Sequence, residues 1–170
     1  MITVRTIALY LLVIFTTFYV SIGVFTLICT FDQHFDTVTY AKYWKIVDGY
    51  MGKRMSIFMP IWMLVFIFNL VVFFKTWRKS PIFWIILGSF IILILDILFT
   101  IKAQIPINNY FKTIDVNHLT VEQIAKVQGF RNQTTENFGI RGLMVMIIFL
   151  MIVITPYLFR RLNQKQEIKV

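Results

Sequence analysis

The sequence predicts an all-α protein: an integral membrane antiparallel four-helix bundle with short amphipathic helices in its two outer loops. Three observations carry that expectation. Of 170 residues, 58% are hydrophobic and only 15% charged, against about 45 to 50% and about 25% in soluble domains. Four apolar runs, 7–30, 56–74, 81–101 and 142–159, each approach or exceed the roughly 20 residues a helix needs to cross the hydrocarbon layer. Most basic residues stand near the ends of those runs, so the net charge of +9 reads as topology signals and lipid headgroup contacts, with no nucleic-acid partner implied.

The first run follows Arg5 but is too long for the apolar segment of a secretory signal. No small-x-small cleavage pattern follows it, and Thr26-Leu27-Ile28-Cys29 lacks the small residue of a lipoprotein site. It is expected to stay as a helix. Between the second and third runs, Lys75-Thr76-Trp77-Arg78-Lys79-Ser80 holds three cations in six residues. That connection, the tail with Arg160, Arg161, Lys165 and Lys169, and the N-terminus with Arg5 carry eight cations in about 23 residues. The other two connections carry nine in about 65. Cation density therefore places both termini in the cytoplasm and the loops 31–55 and 102–141 outside, in the cell or inner membrane. Trp44, Trp62, Trp77 and Trp84 lie near the run ends, where an aromatic belt would anchor the bundle.

In the first outer loop Tyr40, Trp44, Val47 and Met51 recur at helical spacing, with Lys42, Lys45 and Asp48 on the other side. This pattern predicts a short amphipathic helix lying on the membrane or over the mouth of the bundle, capped by Asp36 or Thr37. In the second outer loop Pro106 is expected to stop the third helix, with Asn108 and Asn109 satisfying its free carbonyls. Helix resumes at Thr120-Val121-Glu122-Gln123, a capping-box pattern, and Gly129 and Gly139 are candidate breaks before the fourth span. No repeat, low-complexity tract or linker divides residues 1–170, so one transmembrane domain is expected.

Asp96 is the one ionisable residue inside a run. A carboxylate there costs about 2.5 to 3.5 kcal/mol to insert, so it must face the bundle interior or water and have a partner. Arg141, at the outer start of the fourth span, reaches a similar depth. The pair is either a lock between helices or the acid of a proton-handling or substrate-binding site. Asn69 suits an interhelical hydrogen bond. Thr100, Asn108 and Asn137, with Asp96, Arg131 and Arg141, are expected to line an outer polar vestibule, the candidate place for a small lipophilic ligand.

Much chemistry is disfavoured. One cysteine, Cys29, allows neither an internal disulfide nor a thiol relay. His34 and His118 both lie in loops, which disfavours haem or a di-iron site in the bundle. Asp32-x-His34-x-Asp36 is a weak metal spacing, so neither metal nor cofactor is expected. Asn132-Gln133-Thr134 meets the glycosylation pattern in an outer loop.

Thr100, the Pro106-Ile107-Asn108 step after the third run, and Arg131, Asn137 and Arg141 before the fourth give the chain a resemblance to the anthrone-oxygenase-like family of small membrane proteins. The two arginines keep that family's ten-residue separation; Thr134 stands at its tryptophan position, and Asn137 is shifted by one. The resemblance implies oxygenation of a flat, reduced polyketide without an obvious metal or flavin. Asp96 would act as base and Arg131 or Arg141 would steady the enolate. The alternative class is a non-catalytic membrane subunit or scaffold, contacting another protein or a second copy through its outer loops. Transport ranks last, since one buried acid and no pair of broken helices give little of a pathway.

Overall fold

The computed structural model describes residues 4–28, 34–76 and 80–167. Cys29, Thr30, Asp32, Trp77, Arg78, Lys79 and Lys169 lie outside the described residues. Among the described residues the regular elements are all helical: α1 Val4–Ile28, α2 Thr37–Phe74, α3 Pro81–Phe99, a π-helical turn Thr100–Gln104, α4 Ile105–Thr113, α5 Val121–Val153 and α6 Thr155–Glu167. Four helical stretches, beginning at Val4, Thr37, Pro81 and Val121, are long and apolar enough to cross a membrane.

Helix α1 shows why these segments pack side by side in lipid. Its buried residues Ala8, Leu9, Leu12, Thr16, Tyr19 and Val20 form one stripe, while Ile7, Tyr10, Leu11, Ile14 and Phe18 are exposed. In water that exposed face would be a liability; in hydrocarbon it costs nothing, and shape and hydrogen bonds decide the inner face. The bundle runs up and down. Phe58 of α2 packs on Phe15 and Tyr19, and Asn69 reaches Ala8, so α1 and α2 are antiparallel. Phe74 on Phe83 and Phe66 on Phe90 reverse α3 against α2. Asp96 on Arg141, with Met151 beside Gly88, reverses α5 against α3.

The helices overshoot the membrane. Thirty-eight residues make α2 about 57 Å long, nearly twice the hydrocarbon thickness. The expected surface helix around Tyr40 is instead the first half of α2, unbroken into the span. Asp36 caps it: its Oδ1 accepts from the amides of Val38 and Thr39, and its Oδ2 from the Thr39 hydroxyl. These bonds, the Thr39 hydroxyl first, hold the exposed Asp36 carboxyl below its ordinary value of 3.8. Stabilisation of this helix start is therefore complete above the unfolded value and lost as pH falls through the lower folded one. In an acid titration followed by NMR, the Val38 and Thr39 amide shifts are expected to turn over below 3.8; a midpoint at or above that value would remove the cap from the account.

Pro106 does not end the third helix, contrary to expectation. Its ring would clash with the Lys102 carbonyl in a regular α-helix, and it has no N–H to donate there. The π-turn widens the helix just before it, with the Ile105 N–H bonding to Thr100 O, and the chain runs on into α4. Thr120 and Gln123 do form the capping box, but α5 then passes through Gly129 and Gly139 without a break. The real interruption comes at Ile154, ahead of Pro156, where the buried Thr155 hydroxyl donates to the Ile152 carbonyl that Pro156 cannot serve.

The long helices thus build two cores. Leu9, Leu12, Trp62, Phe66, Phe73, Ile86, Leu93 and Ile148 fill the bundle. Tyr40, Ala41, Trp44, Ile107, Phe111, Ile114 and Val127 fill a second core, from here on called the cap, made by the first half of α2, α4 and the first half of α5. Two tryptophans expected as membrane anchors are core residues: Trp62 is fully buried and donates to Thr16 Oγ1 at 3.3 Å, and Trp44 is buried in the cap. Trp84 remains exposed, as an anchor should be.

Candidate functional site

Two polar layers lie where the bundle meets the cap. In the inner one, Asp96 is fully buried on α3. Arg141 Nε donates to Asp96 Oδ1 at 2.8 Å, and its Nη2 lies 3.5 Å from Oδ2. Tyr19, from α1, donates its hydroxyl to Asp96 Oδ2 at 3.1 Å, and the Tyr19 oxygen in turn accepts from Arg141 Nη2 at 2.7 Å. Three helices are joined in one closed set of charge-assisted hydrogen bonds. Phe58 stacks on the Tyr19 ring at 6.2 Å and Trp62 tilts against it at 4.8 Å, which holds the phenol in place. The Arg141 side chain is 18% exposed, and its guanidinium lies 6.0 Å from the Phe138 ring centre.

The outer layer begins about 6 Å away, one helical turn along α5 at Asn137. Asn137 Nδ2 donates to Gln104 Oε1 at 3.2 Å, and Gln104 Nε2 donates to Asn108 Oδ1 at 2.9 Å. Asn108 also accepts from Trp44 Nε1 at 3.2 Å and donates from Nδ2 to Asp48 Oδ1 at 2.6 Å. Lys112 Nζ closes the row 3.1 Å from Asp48 Oδ2, meeting it by charge rather than by an aligned hydrogen bond. The row runs from an exposed lysine to a buried asparagine and ties α2, the π-turn, α4 and α5 together. Asn108 therefore serves the cap and not the carbonyl end of α3.

The vestibule residues are thus divided among several partners. Asp96 meets Arg141, and Asn108 meets Asn137 through Gln104. Thr100 turns to its own helix, donating to the Asp96 carbonyl at 2.8 Å. Arg131 lies elsewhere, donating to Phe35 O at 2.9 Å with its guanidinium 5.0 Å from the Tyr40 ring centre, so it ties the segment before α2 to the cap. Asn69 makes the interhelical hydrogen bond expected of it, donating to Ala8 O and to Val65 O, both at 2.9 Å. Its Oδ1 and the Thr134 hydroxyl are buried with no hydrogen-bond partner among the described residues. The hydroxyl of the Asn132-Gln133-Thr134 pattern is thus packed inside a continuous helix.

Sequence reasoning missed Tyr19, Gln104 and Lys112, and placed Asp48 on the wrong side. Spacing held a signal for two of them. Tyr40, Trp44 and Asp48 stand four apart, so an inward Trp44 carries Asp48 inward as well, and Thr16 and Tyr19 share a face of α1.

Chemically, the inner layer is paired within itself: each carboxylate oxygen of Asp96 is held by a donor from another helix. Two shallow, open concavities lie away from it, one along α2 from Lys45 to Ile57 and one between α2 and α3 at Leu70, Phe74, Phe83 and Leu87.

No protein family, curated protein or solved structure matches the chain. Its own chemistry identifies it as far as a polytopic membrane protein with four lipid-exposed spanning helices.

Proposed function

We propose that this chain is a non-catalytic membrane scaffold, with both termini cytoplasmic and its helical cap offered to another membrane protein on the opposite side. The observation that carries the proposal is the mutual satisfaction of Tyr19, Asp96 and Arg141. A base awaiting substrate faces a cavity, whereas both oxygens of this fully buried carboxylate accept hydrogen bonds that lock three helices. Helices continuous from bundle to cap make the cap a stiff platform, and Val121, 86% exposed at the start of α5, is an apolar contact point on it. Cation density along the sequence supports the orientation.

A second reading follows from the likeness to anthrone-oxygenase-like proteins. An acid, a cation and a phenol do meet at the cap end of the bundle, and Arg141 is not wholly covered. In that chemistry the carboxylate takes a methylene proton, the enolate reacts with dioxygen, and the methylene becomes a carbonyl with release of water.

The two readings separate in one assay. Purified protein in micelles is mixed with anthracen-9(10H)-one in aerated buffer, and oxygen uptake and quinone formation are followed. The scaffold reading expects the rate of micelles alone, together with a discrete adduct from a photo-crosslinker placed at Val121 in native membranes. Accelerated oxygen uptake that disappears in Tyr19→Phe or Asp96→Asn, with the thermal midpoint of the variant retained, would replace the scaffold by an oxygenase.

A further inference from the structure

The cap half of α2 has a face that neither core uses. Ile46, Tyr50 and Ile57 are 61%, 64% and 62% exposed, and Gly49, Lys53 and Arg54 stand exposed between them. At spacings of about four, these residues share one side of the helix. With Lys45 they line a shallow open trough. Gly49 is its floor, where an added Cβ would meet nothing within 4 Å.

Charge on this face is of one sign. Asp48, the single acid between Thr37 and Met55, is turned inward against Asn108 and Lys112. Lys45 bends back to donate to Ile114 O at 3.1 Å, forming a wall. Arg54 lies along the Tyr50 ring, its guanidinium carbon 5.6 Å from the ring centre. Among the described residues, no carboxylate stands within ion-pair distance of Lys53 or Arg54.

Depth decides what this positive trough meets. The apolar stretch 56–74 of α2 is about 28 Å long, close to the hydrocarbon thickness. Lys53 and Arg54 then stand within one turn of its edge, level with lipid phosphates. Tyr50 sits in the headgroup zone, and Ile57 and Ile61 face acyl chains.

We propose that this face of α2 is a docking site for an anionic phospholipid of the leaflet on the cap side. Its phosphate is held by Lys53 and Arg54 and its acyl chains lie on Ile57 and Ile61. Arginine brings a planar fork of donors suited to phosphate, and lysine a second point charge. The uncompensated positive charge favours an anionic headgroup over a zwitterionic one, and the apolar step directly below favours a lipid over a free anion.

The test is native mass spectrometry of the detergent-solubilised full chain, titrated in parallel with short-chain phosphatidylglycerol, short-chain phosphatidylcholine and inorganic phosphate. Phosphatidylglycerol adducts are expected in preference to phosphatidylcholine. The Lys53→Gln, Arg54→Gln double variant should bind phosphatidylglycerol about thirtyfold more weakly, while Lys42→Gln, exposed but about 16 Å farther along α2 from the apolar stretch, should bind it unchanged. Both substituted positions are exposed, and circular dichroism verifies that helix content is kept. Equal binding of the two lipids, phosphate binding as tight as the lipid, or a dimer that the double variant abolishes would each overturn the proposal.

Discussion

Replacing Arg141 by methionine lowers the stability of the bundle by about 3 to 5 kcal/mol, because it leaves Asp96 buried without its counter-charge. The loss is not a measure of what the ion pair contributes. Two charges withdrawn from water give up solvation that their mutual attraction only roughly repays, so an apolar replacement of the whole set should cost much less than breaking it. Asp96→Leu with Arg141→Met removes both charges but strands the hydroxyl of the buried Tyr19, which is bonded to both. An orphaned buried hydroxyl costs about 1 to 3 kcal/mol. Adding Tyr19→Phe removes that penalty in turn. The expected order of thermal midpoints in detergent is single variant lowest, double variant higher, and triple variant near the natural sequence. If the triple variant unfolds as early as Arg141→Met alone, the three residues are not the closed set described, and something else in the bundle depends on their polarity.

Phe111→Ala carries the second large effect, about 3 to 5 kcal/mol for the deletion of a fully buried ring. This ring is central to the cap: Tyr40, Trp44, Tyr110 and Phe130 surround it at centroid distances of 6.1, 6.4, 6.1 and 6.5 Å. Because the cap has its own small core, the damage should stay on its side of the polar layers. Hydrogen exchange is expected to rise over residues 37–55 and 105–135, while the bundle, shielded by lipid or detergent, keeps its protection. Parallel loss of protection in both regions would mean that bundle and cap form one cooperative unit through their shared helices.

Legibility in the sequence followed the physics of each signal. The Asp96 and Arg141 pairing was readable because a charge in hydrocarbon is costly enough that depth alone limits its partners. Asp36 and the Thr120 with Gln123 box were readable because caps act over three residues of local chain. Tyr19 was hidden, since its ring fits an apolar run and only its hydroxyl, placed by stacking on Phe58 and Trp62, betrays a polar role. Trp44 and Trp62 misled for the converse reason: being near a run end is compatible with a belt and with a core, and only burial separates the two.

By itself the sequence determined that lipid is the solvent, that four helices cross it, and which acid must be paired there, because transfer free energies add along the chain and need no knowledge of neighbours. Tertiary structure alone decided that α2 runs unbroken from cap to bundle, that a π-turn carries the third helix past Pro106, and that Asp48 points inward to Asn108 and Lys112. Local rules price a proline, a glycine or a surface acid at a few kcal/mol at most. Packing three long helices around a shared aromatic core outweighs such penalties, and no stretch of chain read alone contains that sum.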